Sequence, residues 1–567
     1  MTPPTPAIVA QNAVRRLPRI ALLLLCLAYV VPGFIGREPW KNADMTAFGY
    51  MAELASGAVN WLQPTLLGRP PEFDALLPYW MGAWAIMAAP SWLSPDLAAR
   101  LPFVVLLGLT LAATWYGVYY LARSPQAQPV AFAFGGEASP RDYARAMADG
   151  GLLALIACLG LAQLSHETTP AAAQLAFTAL TFYGIAALAW HALVATVALA
   201  MGLAGLALSG APTLAILLGA GSAAIFAAAS AVRSAASDAG ERTTDLRRAG
   251  LVAAITLAVA ALAWALDLFR WRLGLSAGAG QDWRSMGRLL LWFTWPAWPL
   301  ALWTLWRWRQ QLTSRHVALP LWFAAVAVAT TLSTPSADRS LLLGLPALAT
   351  LAAFALPTLQ RSVAALIDWF TLLFFSGCAL VIWVVWISMQ TGVPAKPAAN
   401  VARLAPGFEP SFSLAVLAVA AAATLCWAWL VKWRAGRHRA AIWKSLVLPA
   451  GGAALCWLLL MTLWMPLLDF ARSYTPVVNN VVRLMDRPGC AEVHGLSRGH
   501  VAAFKYHGQL SLQPVGVAAS CPWMIVGARS ADELAAALDM RQWKLLATVR
   551  RPADANDNVL LYQRTQP

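Results

Sequence analysis

The chain has 567 residues, of which 59% are hydrophobic and only 12% are charged. A soluble globular protein carries about twice that charged fraction, so this class is excluded. The formal net charge is +15, but no basic stripe interleaved with aromatic residues lies in a polar segment, which argues against a nucleic-acid partner. Apolar runs that are long enough, or nearly so, to cross a bilayer recur along the chain and predict an all-α polytopic membrane protein.

The chain begins with a polar segment that we predict to be a cytoplasmic tail over residues 1–16. Arg15, Arg16 and Arg19 surround its junction with the first apolar run, and basic residues stay on the cytoplasmic side. A transmembrane domain is predicted over residues 17–468, with about thirteen helices. Its apolar segments are 17–35, 77–92, 100–122, 149–165, 171–231, 249–268, 287–306, 317–333, 340–357, 363–389, 412–432 and 444–466. The count of thirteen takes 171–231 as two crossings, and three crossings there stay open.

The last hundred residues differ in character from the rest. The basic stretch KWRAGRHRAAIWK predicts a cytoplasmic loop, which places the chain after the final apolar segment on the outer side of the membrane. Residues 469–567 have ordinary polarity and short β-like runs such as WMIVGA, so we predict a small soluble α/β or α+β domain. Cys490 and Cys521 lie in it and could pair in an oxidising compartment.

Scarce carboxylates gather in a predicted extracytoplasmic loop over residues 36–76. Apolar residues recur at helical spacing from Met45 to Leu54, which predicts a helix that lies at the membrane interface. Asp44 stands at or just before the start of this helix. Two interpretations of Asp44 remain open, a simple cap of the helix and a functional carboxylate at the membrane surface, where a raised pKa suits general-base work.

The segment from Asp44 to Trp80 resembles the first periplasmic loop of the ArnT/protein O-mannosyltransferase family. Asp44 falls on the leading Asp of the family pattern, and Phe48 falls on the aromatic residue four positions later. The other matching residues are Trp61, Pro64, Gly68, Leu77, Tyr79 and Trp80. The family's E-K-P-P core is absent, because Asp74 stands where the family has Lys and Glu72 is displaced by one position. The phosphate contact of that Lys is therefore not carried over.

Two later segments resemble the same family. The stretch DLAARLPFVVLLGL (96–109) is similar to the family's A-x-R-L-P-S motif. The stretch STPSADRSLLLGLPALATLAA (333–353) is similar to a segment at the start of a late helix. In that segment Asp338 and Arg339 stand where the family often has a basic, phosphate-facing group. The resemblance covers the first ~120 residues well and the region of ~290–355 moderately.

The resemblance implies a GT-C fold and inverting transfer of a sugar from a polyprenyl-phosphate donor to a periplasmic acceptor, such as lipid A or another envelope glycan. Asp44 would be the catalytic base, and the leaving phosphate would be neutralised by Arg, Lys or a divalent metal ion. The expected substrate-binding residues are Arg37, Lys41, Arg69, Glu72, Asp74, Tyr79 and Arg339. Glu72 and Asp74 are also the expected metal ligands, and no organic cofactor is expected.

Simpler interpretations of these residues stay open. Glu72, Asp74 and Arg69 fit solvated loop charges equally well, and Arg339 fits interfacial snorkelling. Arg37 and Lys41 flank Asp44 and either lower its pKa or meet lipid headgroups.

Two other functions also compete with the glycosyltransferase. A transporter or flippase of lipid-linked saccharides would place charges in mid-helix, and the predicted spans are nearly free of them. A ligase of preassembled glycans would have a large late outer loop, whereas 390–411 is modest. The expected partners are the lipid-linked donor, the acceptor and membrane lipids, with the chain acting as a monomer.

Overall fold

The structure is a computed structural model, and it describes residues 5–72, 75–234, 239–270, 283–334, 337–435, 441–516, 521–537, 540–551 and 554–565. Within these residues, 8 helices are long and apolar enough to cross a membrane. They are Pro95–Ala122, Pro170–Ala187, Pro212–Ala231, Thr243–Ala265, Arg315–Ser333, Arg361–Thr391, Leu414–Arg434 and Ile442–Leu463. Shorter apolar helices are Arg19–Val30, Ala192–Leu208 and Leu345–Thr358. The predicted helical membrane architecture is confirmed, while the total of thirteen crossings stays a prediction.

The apolar segment 171–231, for which two crossings were predicted and three stayed open, contains three helices, of which two are long and apolar enough to cross a membrane. The three helices are Pro170–Ala187, Ala192–Leu208 and Pro212–Ser234. Proline begins the first and third helices, where its missing N–H costs nothing. Gly210 precedes the third with φ of +86°, a conformation that an L side chain rarely adopts. Short breaks of this kind are hard to see inside a continuous apolar run.

The predicted crossing at 77–92 is also shorter than expected. The helix there is Leu77–Ala88 and has 12 residues, so it rises about 18 Å, less than the ~30 Å hydrocarbon core. The remaining helices outside the C-terminal sheet region are Ala43–Ala55, Pro140–Ala157, Leu161–Leu164, Trp283–Phe293, Ala297–Arg307, Ala337–Leu342, Ala395–Leu404, Met465–Arg472 and Thr475–Leu484. The helix predicted at the start of the first loop is thus Ala43–Ala55, called the first-loop helix below.

The C-terminal region forms the predicted small sheet domain. Its strands are β1 (Cys490–His494), β2 (Ser511–Pro514), β3 (Trp523–Gly527), β4 (Trp543–Arg551) and β5 (Asp554–Arg564). The strand order is β2-β1-β3-β5-β4, with β1 parallel to β2 and β3, and β5 antiparallel to β3 and β4. Helices Arg498–Tyr506 and Ala531–Ala537 connect the strands. Cys490 and Cys521 are joined by a disulfide.

The sheet domain packs directly on the first-loop helix through its own helix Arg498–Tyr506. The Phe48 ring meets the Tyr506 ring edge-on with 4.6 Å between centroids. A Cβ added to Gly49 would lie 2.6 Å from the Ala502 Cβ, so the two helices approach closely because Gly49 has no side chain. The sheet domain therefore covers the first-loop helix and helps to enclose the space beside it.

Candidate active site

The Asp44 carboxylate is buried at the start of the first-loop helix, with 1% of the residue exposed. Its Oδ2 accepts hydrogen bonds from Arg37 Nη1 at 2.6 Å and from the Trp40 amide at 3.1 Å. Its Oδ1 accepts from the Thr168 amide at 2.8 Å and the Thr168 hydroxyl at 2.5 Å. Asn42 is the N-cap residue, and the donors to Asp44 all lie outside the helix Ala43–Ala55, so Asp44 links the helix to other segments and does not cap it.

Two buried arginines surround this carboxylate. Arg37 also donates from Nη2 to the His166 carbonyl oxygen at 2.7 Å and from Nε to the Gly33 carbonyl oxygen at 2.8 Å. Arg100, which is 2% exposed, donates to the Arg37 carbonyl oxygen at 2.5 Å. It is the arginine of the A-x-R-L-P-like motif. The Arg37–Asp44–Arg100 layer therefore ties the end of the first apolar helix to the first-loop helix and to segment 165–169.

Burial by itself raises the pKa of the Asp44 carboxyl, but the surrounding donors act more strongly in the opposite direction. The positive charges of Arg37 and Arg100 and the two hydrogen bonds from Thr168 hold the pKa of Asp44 below its ordinary value. Hydrogen bonds to the charged form favour that form. Asp44 is thus a fixed, ionised acceptor.

Segment 165–169 reads Ser-His-Glu-Thr-Thr, and all five polar residues are buried. Asp44 holds Thr168, and Arg37 holds the carbonyl of His166. Burial lowers the pKa of the His166 imidazole to about 4, so this ring is neutral at ordinary pH. Arg37 and Asp44 thus hold residues 166 and 168 in place. The Glu167 side chain between them lines a cavity.

The cavity has a volume of about 540 Å³ and lies between the first loop, segment 163–174, segment 338–340 and the sheet domain. Its polar and charged lining residues are Lys41, Asn42, Thr46, Glu72, Tyr79, Gln163, Glu167, Thr169, Gln174, Asp338, Arg339, Ser340, Ser497 and Arg498. Four separate regions of the chain therefore meet at one polar site, as expected for a substrate cavity.

Glu167 is the most buried carboxylate in this lining, with 8% of the residue exposed. Its Oε2 lies 3.4 Å from Arg339 Nη2, and its Oε1 lies 3.4 Å from Gln163 Nε2. Burial raises the pKa of the Glu167 carboxyl, and the negative charge of Asp44 adds to this, against the lowering effect of Arg339. A carboxyl group with a raised pKa that faces a cavity is suited to accept a proton.

Arg339 faces the same cavity from helix Ala337–Leu342. Its Nη2 pairs with Glu167, while its Nε is buried and has no hydrogen-bond partner among the described residues. A guanidinium with donors to spare is well matched to phosphate or carboxylate oxygens. Arg339 can therefore bind an anionic group beside the Glu167 carboxylate.

The outer rim of the cavity is closed by ion pairs with the sheet domain. Arg498 Nη1 lies 3.1 Å from Glu72 Oε1, and Lys41 Nζ lies 3.3 Å from Asp557 Oδ2. The Glu72 side chain is 67% exposed. The sheet domain thus contributes charges to the mouth of the cavity and does not only pack against the loop.

The structure separates the predicted site residues into groups. Lys41, Glu72, Tyr79 and Arg339 line the cavity. Asp44 and Arg37 lie in the buried layer beneath it. Arg69 donates to the Leu496 carbonyl oxygen at 3.0 Å and so holds the sheet domain. Asp74 lies outside the described residues.

The metal site expected at Glu72 and Asp74 stays a prediction, because Asp74 lies outside the described residues. Glu72 is paired with Arg498, and the described parts of the chain contain no group of three or more His, Cys, Asp and Glu side chains that could hold a metal ion.

The sequence prediction missed Glu167, Arg498 and the role of Arg100. For Glu167 a signal existed, because HETT interrupts two apolar runs with consecutive polar residues, and polar residues placed there must have partners or a function. For Arg498 no local signal existed, since only the docking of the sheet domain brings it to the cavity.

Comparison with solved structures finds two that share the fold along nearly the whole chain. One is ArnT from Cupriavidus metallidurans bound to undecaprenyl phosphate, with a TM-score of 0.59, 13% sequence identity and coverage of 96% of this chain and 97% of that chain. The other is ArnT from the same organism in the apo state, with a TM-score of 0.56, 14% identity and 96% coverage of both chains. The predicted resemblance is confirmed at the level of the fold.

No protein-family model matches the sequence, and no curated protein sequence matches it. The similarity to ArnT is therefore one of architecture. The chain is a multi-pass membrane protein with the GT-C fold seen in ArnT.

Proposed function

We propose that this protein is an inverting glycosyltransferase that takes a sugar from a polyprenyl-phosphate donor on the periplasmic side of a bacterial inner membrane. The observation that carries the proposal is the pairing of Glu167 with Arg339 in the wall of one polar cavity, 3.4 Å apart. The shared fold with an ArnT structure bound to undecaprenyl phosphate supports a donor of that class.

In the proposed reaction, the Glu167 carboxylate takes the proton of an acceptor hydroxyl. The acceptor oxygen forms a bond to C1 of the sugar while the bond from C1 to the phosphate oxygen breaks. The lipid phosphate leaves as a dianion, and Arg339, Lys41 and Arg498 supply the positive charge that stabilises it. The raised pKa of Glu167 makes its carboxylate a stronger base than an exposed glutamate.

Asp44 was the base expected from the sequence, and its geometry favours a different role. A carboxylate has about four lone-pair sites, and Asp44 accepts hydrogen bonds from Arg37, Trp40 and twice from Thr168. No acceptor site remains for a substrate proton. We therefore assign Asp44 to positioning, since it fixes Thr168 and thereby the neighbouring Glu167.

We propose an acceptor of the class expected from the sequence, lipid A or another envelope glycan. The mouth of the cavity carries Lys41 and Arg498, which complement an anionic acceptor as well as a phosphate.

The proposal is tested by mass spectrometry of the envelope lipids and glycans of a deletion strain. The strain is complemented with wild type, with Glu167→Gln or with the matched control Glu53→Gln. Glu53 is a buried carboxylate on the first-loop helix that pairs with Lys505 away from the cavity. We expect one sugar mass to be lost on deletion and restored by wild type and Glu53→Gln, but not by Glu167→Gln. An unchanged envelope with an altered distribution of lipid intermediates would contradict the enzyme and favour a flippase.

A further inference from the structure

The turn between strand β1 and the helix Arg498–Tyr506 carries a motif that the proposed sugar transfer does not use. Residues 495–499 read Gly-Leu-Ser-Arg-Gly, the G-x-S-x-G pattern that places a nucleophilic serine on a sharp turn from a strand into a helix. So short a pattern also occurs by chance, and its structural context decides its meaning. That context is present, because Ser497 follows a strand with two parallel neighbours, β2 and β3, and is the N-cap residue of the next helix.

The turn brings Ser497 to the cavity described above. Gly495 follows strand β1 directly and has a φ of +63°, which an L side chain rarely adopts. Two residues later, Ser497 is exposed and lines the cavity. A molecule in the cavity can therefore reach this serine.

The Ser497 hydroxyl is hydrogen-bonded to a buried imidazole. Ser497 Oγ lies 2.8 Å from His500 Nδ1, and His500 is 4% exposed. The other ring nitrogen, Nε2, has no hydrogen-bond partner among the described residues, but it lies 3.6 Å from Asp557 Oδ1. Serine and aspartate thus face opposite nitrogens of one imidazole, as in a Ser-His-Asp triad, with the roles of Nδ1 and Nε2 exchanged.

The position of Asp557 determines which ring nitrogen carries the proton. Its negative charge favours the tautomer of His500 with the proton on Nε2, which leaves the Nδ1 lone pair for the proton of the serine hydroxyl. Burial lowers the pKa of the His500 imidazole to about 4, against the raising effect of Asp557. The ring is therefore neutral at ordinary pH and can accept that proton.

Ser497 also caps its helix, and capping alone does not account for the imidazole. Its Oγ accepts a hydrogen bond from the His500 amide at 3.2 Å, as an N-cap serine does. Capping uses a lone pair of the hydroxyl oxygen and leaves the hydrogen to be donated. Ser139 caps helix Pro140–Ala157 in the same way, but its hydroxyl donates to the Asp142 carboxylate. A capping serine thus needs no histidine.

The groups next to Ser497 suit the negative charge that develops when an ester carbonyl is attacked. The first N–H groups of an α-helix have no intrahelical partner, and those of Arg498 and Gly499 follow Ser497 directly. The Arg498 side chain lines the same cavity and adds positive charge. Such donors stabilise the oxyanion of an acyl-transfer intermediate.

We propose that Ser497, His500 and Asp557 form a second reaction site of this protein, which hydrolyses acyl esters. Ser497 Oγ forms a bond to the ester carbonyl carbon, and its proton passes to His500 Nδ1. The bond from that carbon to the alcohol oxygen then breaks, and His500 gives the proton to the departing alcohol. Water cleaves the acyl-serine in the same way, which releases the carboxylic acid and restores Ser497. Asp557 is a positioning residue, since it acts through the imidazole.

The test uses the purified full-length protein in detergent with two probes, p-nitrophenyl butyrate and a fluorophosphonate. A fluorophosphonate reacts with an activated serine by loss of fluoride, and peptide mass spectrometry locates the modified residue. We expect wild type to hydrolyse the ester and to be modified at Ser497. Ser139, the other capping serine, is the control in the same digest and should stay unmodified.

Three variants assign the roles, and the unfolding temperature of each is measured alongside. Ser497→Asn separates the nucleophile from the cap, because asparagine caps a helix as well as serine does but has no hydroxyl. It should fold like wild type and lose both ester hydrolysis and modification. His500→Gln should lower kcat by about 10² or more. Asp557→Asn should lower kcat by about tenfold or more and leave KM unchanged.

Two results would overturn the inference. One is a folded Ser497→Asn protein that hydrolyses the ester at the wild-type rate. The other is a wild type that neither hydrolyses the ester nor is modified at Ser497, which would leave Ser497 as a helix cap only. The inference goes beyond the proposed function and does not rest on it. Because no sugar enters either measurement, neither result bears on the glycosyltransferase.

Discussion

Two acid–arginine pairs are linked through segment 165–169 in this protein, and their environments differ. In the buried layer, Asp44 and Arg37 are 2.6 Å apart, and the carboxylate accepts three further hydrogen bonds. In the cavity wall, Glu167 and Arg339 are 3.4 Å apart, and Gln163 is the other donor near the carboxylate. The pKa of Asp44 is lowered and the pKa of Glu167 is raised.

Burial raises the pKa of both carboxyl groups, so burial does not cause the difference. The difference comes from the number of donors and positive charges that each carboxylate faces. A buried carboxylate with all its acceptor sites used holds structure together, whereas one with acceptor sites to spare can take a proton. The first variants below test this distinction.

The largest expected effect is that of Glu167→Gln on catalysis. The amide keeps the size of the side chain but cannot accept the acceptor proton, so the transfer rate should fall by about 10² to 10⁴. The measurement is the rate of sugar transfer to the acceptor identified by envelope mass spectrometry, with Glu53→Gln as control. A Glu167→Gln protein with wild-type kcat would remove Glu167 from the role of base.

Asp44→Asn should act on stability. Loss of the negative charge leaves Arg37 buried without its counterion, and breaking a buried ion pair costs about 3–5 kcal/mol. The free energy of unfolding in detergent, measured by loss of tryptophan fluorescence, should fall by that amount. If Asp44→Asn instead unfolds like wild type but transfers no sugar, Asp44 is the base that the sequence suggested.

The sequence predicted much of the fold because its physical signals are local. Apolar runs predict membrane helices, and the change to ordinary polarity near residue 469 predicts the sheet domain that begins at Cys490. Two or three crossings were expected in 171–231, but the positions of the breaks at 188–191 and 209–211 were not predicted, because a turn between two apolar helices needs only a few residues and leaves the apolar composition unchanged.

The candidate site was less predictable because it depends on tertiary contacts. The sequence indicated Asp44, because it falls on the leading Asp of the family pattern. Its four hydrogen bonds, however, involve residues up to 124 positions away. Arg498 reaches the cavity only because the sheet domain docks on the first-loop helix. The number of hydrogen bonds that a carboxylate accepts in the folded protein cannot be predicted from a single sequence.

Arg339→Gln should have an intermediate effect that appears in the pH profile. The positive charge of Arg339 lowers the pKa of Glu167, so its removal should raise that pKa further. The base must be deprotonated, and activity is lost as pH falls through its pKa. The acid limb of kcat/KM should therefore move to higher pH in Arg339→Gln. The control is Arg403→Gln, at an exposed position on helix Ala395–Leu404, and an unmoved limb in Arg339→Gln would contradict the coupling.

The smallest effect is expected for the pair at the mouth of the cavity. Arg498 and Glu72 are 3.1 Å apart, closer than Arg339 and Glu167, but the Glu72 side chain is 67% exposed. Water screens such a pair, so Glu72→Gln should change the free energy of unfolding by less than about 1 kcal/mol. The same unfolding measurement applies as for Asp44→Asn. A loss as large as that of Asp44→Asn would contradict this expectation. It would mean that the distance between the two charges determines the contribution of an ion pair to stability more than burial does.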